Sequence, residues 1–120
     1  MNRVVRMFKP RFADLVRSGA KKQTVRPVPK RTPAPGWLLD ARQWSGRPYN
    51  SPQVAIGEYR LLRVASITID SRIRLSGEWL NEDARDRFAV ADGFAGWDEM
   101  REWFSAEHGL PFSGVCFFWE

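Results

Sequence analysis

The stretch Pro10-Arg11-Phe12-Ala13-Asp14-Leu15-Val16-Arg17-Ser18-Gly19-Ala20-Lys21-Lys22-Gln23-Thr24-Val25-Arg26 holds the signals that set the architecture. Pro10 suits the first position of a helix, where its missing N–H would have no partner anyway. Phe12, Leu15 and Val16 form an apolar stripe at helical spacing, with Arg11, Asp14, Arg17 and Ser18 facing away. Gly19 is placed to take the left-handed conformation that ends a helix. The spacing predicts a helix over Pro10–Ser18, then a short alternating strand from Gln23 to Arg26. Lys21 and Thr24 fall on the turn into that strand, a rigid place to present polar groups.

Upstream, residues 4–8 are a strand candidate. Downstream, Pro27, Pro29, Pro33, Pro35 and Gly36 make residues 27–36 a loop, because prolines deny the backbone its donors. Trp37 to Ala41 is a further strand candidate, and turn residues punctuate the least regular segment, 42–56. From Glu58 to Leu75 the chain is rich in Val, Ile, Leu and Tyr. Its patches of period-two alternation predict strands with a solvated face and a bend near Asp70-Ser71. The period then changes. Leu80, Ala84, Phe88 and Ala91 share a helical face that Asn81 could cap and Gly93 could stop. Trp97, Met100 and Phe104 mark a second helix, with Asp98 and Glu99 in its first turn opposing the dipole. Phe112 to Trp119 returns to strand character. The order predicts one α+β domain over residues 1–120, with a small β-barrel closed by the last strand and flanked by helices.

Composition agrees with one globular core: 43% hydrophobic and 28% charged residues, with 6 Trp and 8 Phe for aromatic packing. Lys plus Arg outnumber Asp plus Glu by 19 to 14. Between Arg3 and Arg31 the only acid is Asp14, so the positive charge is clustered, as it would be to steer an anionic ligand. The alternative is that the charge serves solubility alone. A single cysteine, Cys116, excludes an internal disulfide, and in its apolar surroundings it reads as a small buried residue. One His and one Cys argue against a zinc site, and no cofactor motif is present. With no hydrophobic leader and no apolar stretch of about 18 residues, the expectation is a cytoplasmic protein without a membrane span.

Three features carry possible chemistry. Lys21, Thr24 and Arg26 combine two cations with a hydroxyl at fixed positions, suited to a phosphate or a carbonyl oxygen, or else to a solvated surface. Asp92 sits at the C-terminal end of the Leu80–Ala91 helix, an unfavourable place for an acid that calls for a compensating partner or exposure. His108, before Gly109, reads as ordinary capping of a helix end. Trp37, Trp44 and Trp79 could stack on a base, with core packing as the plainer role.

At these residues the chain resembles the ASCH domain family of the PUA-like superfamily. Met7-Phe8-Lys9-Pro10-Arg11-Phe12, Leu15-Val16-Arg17-Ser18-Gly19 and Lys21-Lys22-Gln23-Thr24-Val25-Arg26 look like the family's opening helix and its Gly-x-Lys-x-x-Thr-x-Arg signature. Ala91-Asp92-Gly93-Phe94, Trp97-Asp98-Glu99-Met100, Trp103-Phe104 and His108-Gly109-Leu110-Pro111-Phe112 look like its C-terminal part. The resemblance implies a small PUA-like β-barrel with a cleft lined by the signature residues, and RNA or a modified nucleoside or nucleotide as partner. Some ASCH-like proteins are amidohydrolases that deacetylate N4-acetylcytidine with a Lys, a Thr and a Glu, and others are suggested to be ribonucleases or RNA-binding regulators. Carried over by position, the catalytic residues would be Lys21, Thr24 and Asp92, the last replacing the family's Glu and one methylene shorter. Arg26, Lys22 and Gln23 would bind substrate. An RNA- or nucleotide-binding domain is the leading expectation. A hydrolase acting on an acylated cytidine or on RNA comes next, and a protein-interaction or structural role is the third.

Overall fold

Gly19 ends the first helix as its position predicts, at φ 85°, with its N–H returned to the Val16 carbonyl at 3.1 Å. The computed structural model describes residues 2–120. In chain order the elements are β1 (Arg3–Met7), α1 (Pro10–Ser18), β2 (Gln23–Pro27), β3 (Leu38–Trp44), β4 (Gln53–Ile69), β5 (Ile73–Leu75), β6 (Glu78–Trp79), α2 (Glu82–Ala91), α3 (Trp97–Glu107) and β7 (Phe112–Trp119). Asn81 caps α2 by accepting from the Ala84 N–H at 2.8 Å, and the bend at Asp70-Ser71 separates β4 from β5. The irregular segment 42–56 turns out to hold the end of β3 and the start of β4, joined by the turn region that its Gly, Pro and Asn residues announce.

One long strand organises the sheet. The first half of β4 pairs antiparallel with β3, and β3 pairs parallel with β1. A register shift at Leu61/Arg63 hands β4 over to β7, which in turn pairs with β2. A bulge of this kind bends a strand and increases its twist, so a single strand can serve two differently oriented sheet halves. β5 and β6 extend the far end as a small hairpin. One core runs through both halves, from Leu39, Ala41 and Leu61 to Ile67, Ile69, Phe104 and Phe117.

The predicted barrel does not form. The seven strands make a mixed, mostly antiparallel open sheet flanked by three helices. β7 does not close a cylinder. It lies inside the sheet, between β2 and β4. Closure would need a ladder between β1 and β2, and among the described residues none joins them. Side chains occupy that seam instead. Arg26 of β2 donates from Nη2 to the Met7 carbonyl at 2.9 Å and stacks over the Phe8 ring at 4.8 Å. A side chain inserted where backbone would have to meet backbone keeps the two edges apart. The PUA-like barrel implied by the resemblance, and the RNA-binding and hydrolase descriptions that came with it, are therefore not borne out by the sheet topology. No helix among the described residues is long and apolar enough to cross a membrane.

Candidate functional site

The open seam is also the cleft. A cavity of about 200 Å³ lies there, lined by Met7 at the end of β1 with Phe8 and Lys9 after it, by Thr24–Pro27 of β2, and by Lys21, Asp92, Phe94, Trp103 and His108. The turn after α1 delivers Lys21. Its own N–H is held by the Leu15 carbonyl at 3.0 Å, two residues beyond the Gly19 stop, so its side chain leaves the helix end in a fixed direction.

Lys21 is 3% exposed and reaches the C-terminal end of α2. There its Nζ donates to the Asp92 carbonyl and lies 3.3 Å from Asp92 Oδ1. α2 has no basic residue of its own in its last turn, so Lys21 supplies the positive charge that a helix C-terminus favours. The acid that was awkwardly placed by sequence thus has its compensating partner. Gln23, also buried, donates to Asp92 Oδ1 at 3.2 Å and holds the carboxylate from the side. The Lys21 ammonium lies 5.0 Å from the centre of the Phe12 ring. Burial pushes its pKa down, and the Asp92 charge and hydrogen bond oppose that shift.

Thr24 and Arg26 point to the same face of β2, two residues apart. Arg26 Nε donates to Thr24 Oγ1 at 3.1 Å. Burial, followed by the nearby Arg6 charge, lowers the Arg26 pKa to about 10, with Asp92 opposing. Among the described residues no hydrogen bond links Thr24 to Lys21 or Asp92.

Of the residues named from sequence, Lys21, Thr24, Arg26 and Asp92 converge on one cleft. Lys22 does not join them. It is exposed, and its backbone carbonyl serves the β7 end by accepting from Trp119. Gln23 sits behind the acid rather than in the cleft lining. His108 closes α3 as expected and also lines the cleft, packed against Phe112 at 4.8 Å. Trp37, Trp44 and Trp79 are not in the lining.

The apolar wall escaped the sequence reading. Phe12, Phe94 and Trp103 pack edge-on or tilted at 5.4–5.8 Å and form one side of the cleft. In the sequence these residues are indistinguishable from a core stripe. The clustered N-terminal cations are also more fully matched than composition suggested. Arg3, Lys9, Arg11 and Arg17 each have a carboxylate partner, with Lys9 on Glu107 at 2.9 Å across the cleft mouth. Among the described residues no group of His, Cys, Asp and Glu is arranged to hold a metal ion.

Comparison with protein-family models, with curated proteins and with solved structures finds no match for this chain.

Proposed function

We propose that the cleft binds a nucleoside- or nucleotide-sized ligand. The observation that carries this reading is the convergence of Lys21, Thr24, Arg26 and Asp92 on a cavity with an aromatic wall. A buried ion pair contributes little net stability, because desolvation offsets most of its Coulomb attraction. Such a pair on the wall of a cleft fits a binding role better than a structural one. The wall of Phe12, Phe94 and Trp103 suits a flat ring. Asp92 offers an acceptor, and Thr24 and Arg26 offer donors, as the edge of a base requires. A cavity of about 200 Å³ is smaller than the roughly 300–1,000 Å³ of drug-sized sites, so a single base with its sugar fits better than a longer ligand. The carboxylate-matched cations near the N-terminus also favour a small ligand over a length of RNA. The Gly-x-Lys-x-x-Thr-x-Arg resemblance supports a nucleoside among flat polar ligands. Calorimetric titration with cytidine, uridine, adenosine and guanosine and their 5′-monophosphates tests the reading. Saturable one-to-one binding is expected, weakened about tenfold or more in Trp103→Ala and Thr24→Ala. Absence of binding by every one of these ligands overturns it.

A second reading is deacylation of an N4-acylated cytidine. It is favoured by the lowered pKa of Lys21, which makes a neutral amine more accessible as a base, in the cleft that also holds Thr24. Thr24 Oγ1 would form a bond to the acyl carbon as the carbon–nitrogen bond breaks, with the Thr24 proton passing through Lys21 to the leaving amine. Water would then hydrolyse the Thr24 ester, returning the acid and the free hydroxyl. Lys21 has to leave Asp92 for Thr24 in this scheme, so binding alone is the better supported reading. Incubation with N4-acetylcytidine decides: release of cytidine that Thr24→Ala abolishes and Thr24→Ser partly retains supports it, and activity unchanged in Thr24→Ala sinks it.

A further inference from the structure

We infer that Arg26, backed by Arg6, forms a phosphate subsite of the cleft, so that the ligand is a nucleotide rather than a bare nucleoside; this rests on the reading that the cleft takes a ligand of that size.

The cations of the cleft differ in how their charge is met. Lys21 has Asp92, and Lys9 has Glu107. Arg26 has only neutral acceptors, Thr24 Oγ1 at 3.1 Å and the Met7 carbonyl at 2.9 Å. Arg6 donates to the Val5 carbonyl at 2.8 Å. Among the described residues no carboxylate lies within ion-pair distance of either guanidinium. The two are neighbours. Arg6 lies over the Phe117 ring at 5.5 Å, and Phe117 is the cross-strand partner of Thr24, which shares its face of β2 with Arg26. Each is partly withdrawn from water, and burial lowers the pKa of both.

A guanidinium that is desolvated, repelled by a second one and given only neutral acceptors is an unbalanced charge. An anion beside it removes the imbalance and finds N–H donors left over in the fork, which matches two oxygens of one phosphate. On a ligand of nucleoside size, that anion is a phosphoryl group.

Titration of the full chain with cytidine, cytidine 5′-monophosphate and inorganic phosphate tests this, with Arg6→Gln and Arg26→Gln alongside the unaltered protein. The monophosphate is expected to bind about tenfold or more tighter than cytidine, the scale of one charge-assisted hydrogen bond. Inorganic phosphate should displace the monophosphate. Arg6→Gln, on a partly buried side chain, should reduce the preference several-fold and leave cytidine affinity unchanged, whether or not Arg26→Gln folds. Equal affinity for nucleoside and monophosphate, with cytidine still bound, overturns the subsite and leaves the cleft reading standing. Loss of cytidine and monophosphate binding together overturns both. A cytidine dinucleotide whose only phosphate is the bridging diester identifies the source. Weaker binding than the monophosphate supports a free terminal phosphate, and tighter binding supports the same subsite reading an RNA backbone.

Discussion

Lys21 and Asp92 stand 71 positions apart and meet as a buried pair, with Lys21 Nζ 3.3 Å from Asp92 Oδ1 and donating to the Asp92 carbonyl. The contact ties the turn after α1 to the end of α2, so the cleft wall and its charge depend on a single juncture.

Breaking that juncture from one side should cost more than removing it. Asp92→Asn leaves an ammonium buried without its counter-charge, a loss on the order of 3–5 kcal/mol in urea unfolding at pH 7. Lys21→Met/Asp92→Leu should lie closer to the unaltered protein than Asp92→Asn does. The deficit of Asp92→Asn should shrink as pH rises. Burial lowers the folded pKa of Lys21 below 10.5 and Asp92 opposes that shift, so without the Asp92 charge it falls further, and the variant gains more stability than the unaltered protein as pH rises toward 10.5. A deficit that stays constant to pH 10 counts against the charge as the cause.

Gly114 is required for space rather than for conformation. It faces Pro27 across the β2–β7 ladder, and a Cβ there would overlap the Arg26 carbonyl oxygen and come within 2.9 Å of the Phe112 ring. Both neighbours are backbone or core, so neither yields cheaply. Gly114→Ala should destabilise by about 1–3 kcal/mol, the usual range for overpacking, and weaken ligand binding through displacement of Arg26. Thermal unfolding with a parallel binding titration checks it, and a variant with unchanged Tm and affinity refutes it.

Cys116 should be silent to thiol reagents in the folded protein. It is fully buried, and burial, with the Asp92 charge adding to it, raises the thiol pKa well above its ordinary value, so almost no thiolate is present near neutral pH. A disulfide reagent should modify one thiol per chain in denaturant and none in native buffer. Rapid native labelling would show that the β2–β7 pairing opens easily.

Asp40 gives a pH dependence of the same sign as Lys21, but in the acid range. Its carboxylate is buried and bidentate on Arg42, at 3.0 and 2.6 Å, with Arg3 adding a third contact. The Arg42 hydrogen bonds hold its pKa below the ordinary 3.8, against burial. The stabilisation is therefore present above pH 3.8 and lost as pH falls through the lowered folded value. Asp40→Asn should be less stable than the unaltered protein at pH 6, with the gap closing below pH 3.8 in denaturant titrations. A gap independent of pH would assign the effect to packing.

Asn81→Ala removes the side-chain acceptor from the Ala84 N–H and should cost about 1 kcal/mol, read as a shift in the urea midpoint.

Much of the local structure was legible in advance. α1 begins at Pro10 and ends at Gly19 as expected, Asn81 caps α2, and Gln23–Pro27 is a strand. Lys21, Thr24, Arg26 and Asp92 were singled out before their convergence was visible. The length of β4 was not legible, because its 17 residues include exposed positions and a register shift that break the alternation. Lys22 was expected to bind substrate with Gln23 and Arg26, yet successive residues on an extended chain point opposite ways, and of the two lysines only Lys21 turns inward.

What the sequence by itself determined is what short-range physics governs: where helices start and stop, which face of each is apolar, and that an acid ending α2 needs a positive partner. Only the tertiary structure decided that Lys21 is that partner, that the sheet stays open between β1 and β2, and that the opening is walled by aromatics. Those outcomes depend on how β4 bends between two sheet halves and on where the Arg26 side chain inserts. Both are set by contacts between residues distant in the chain, which no local pattern encodes.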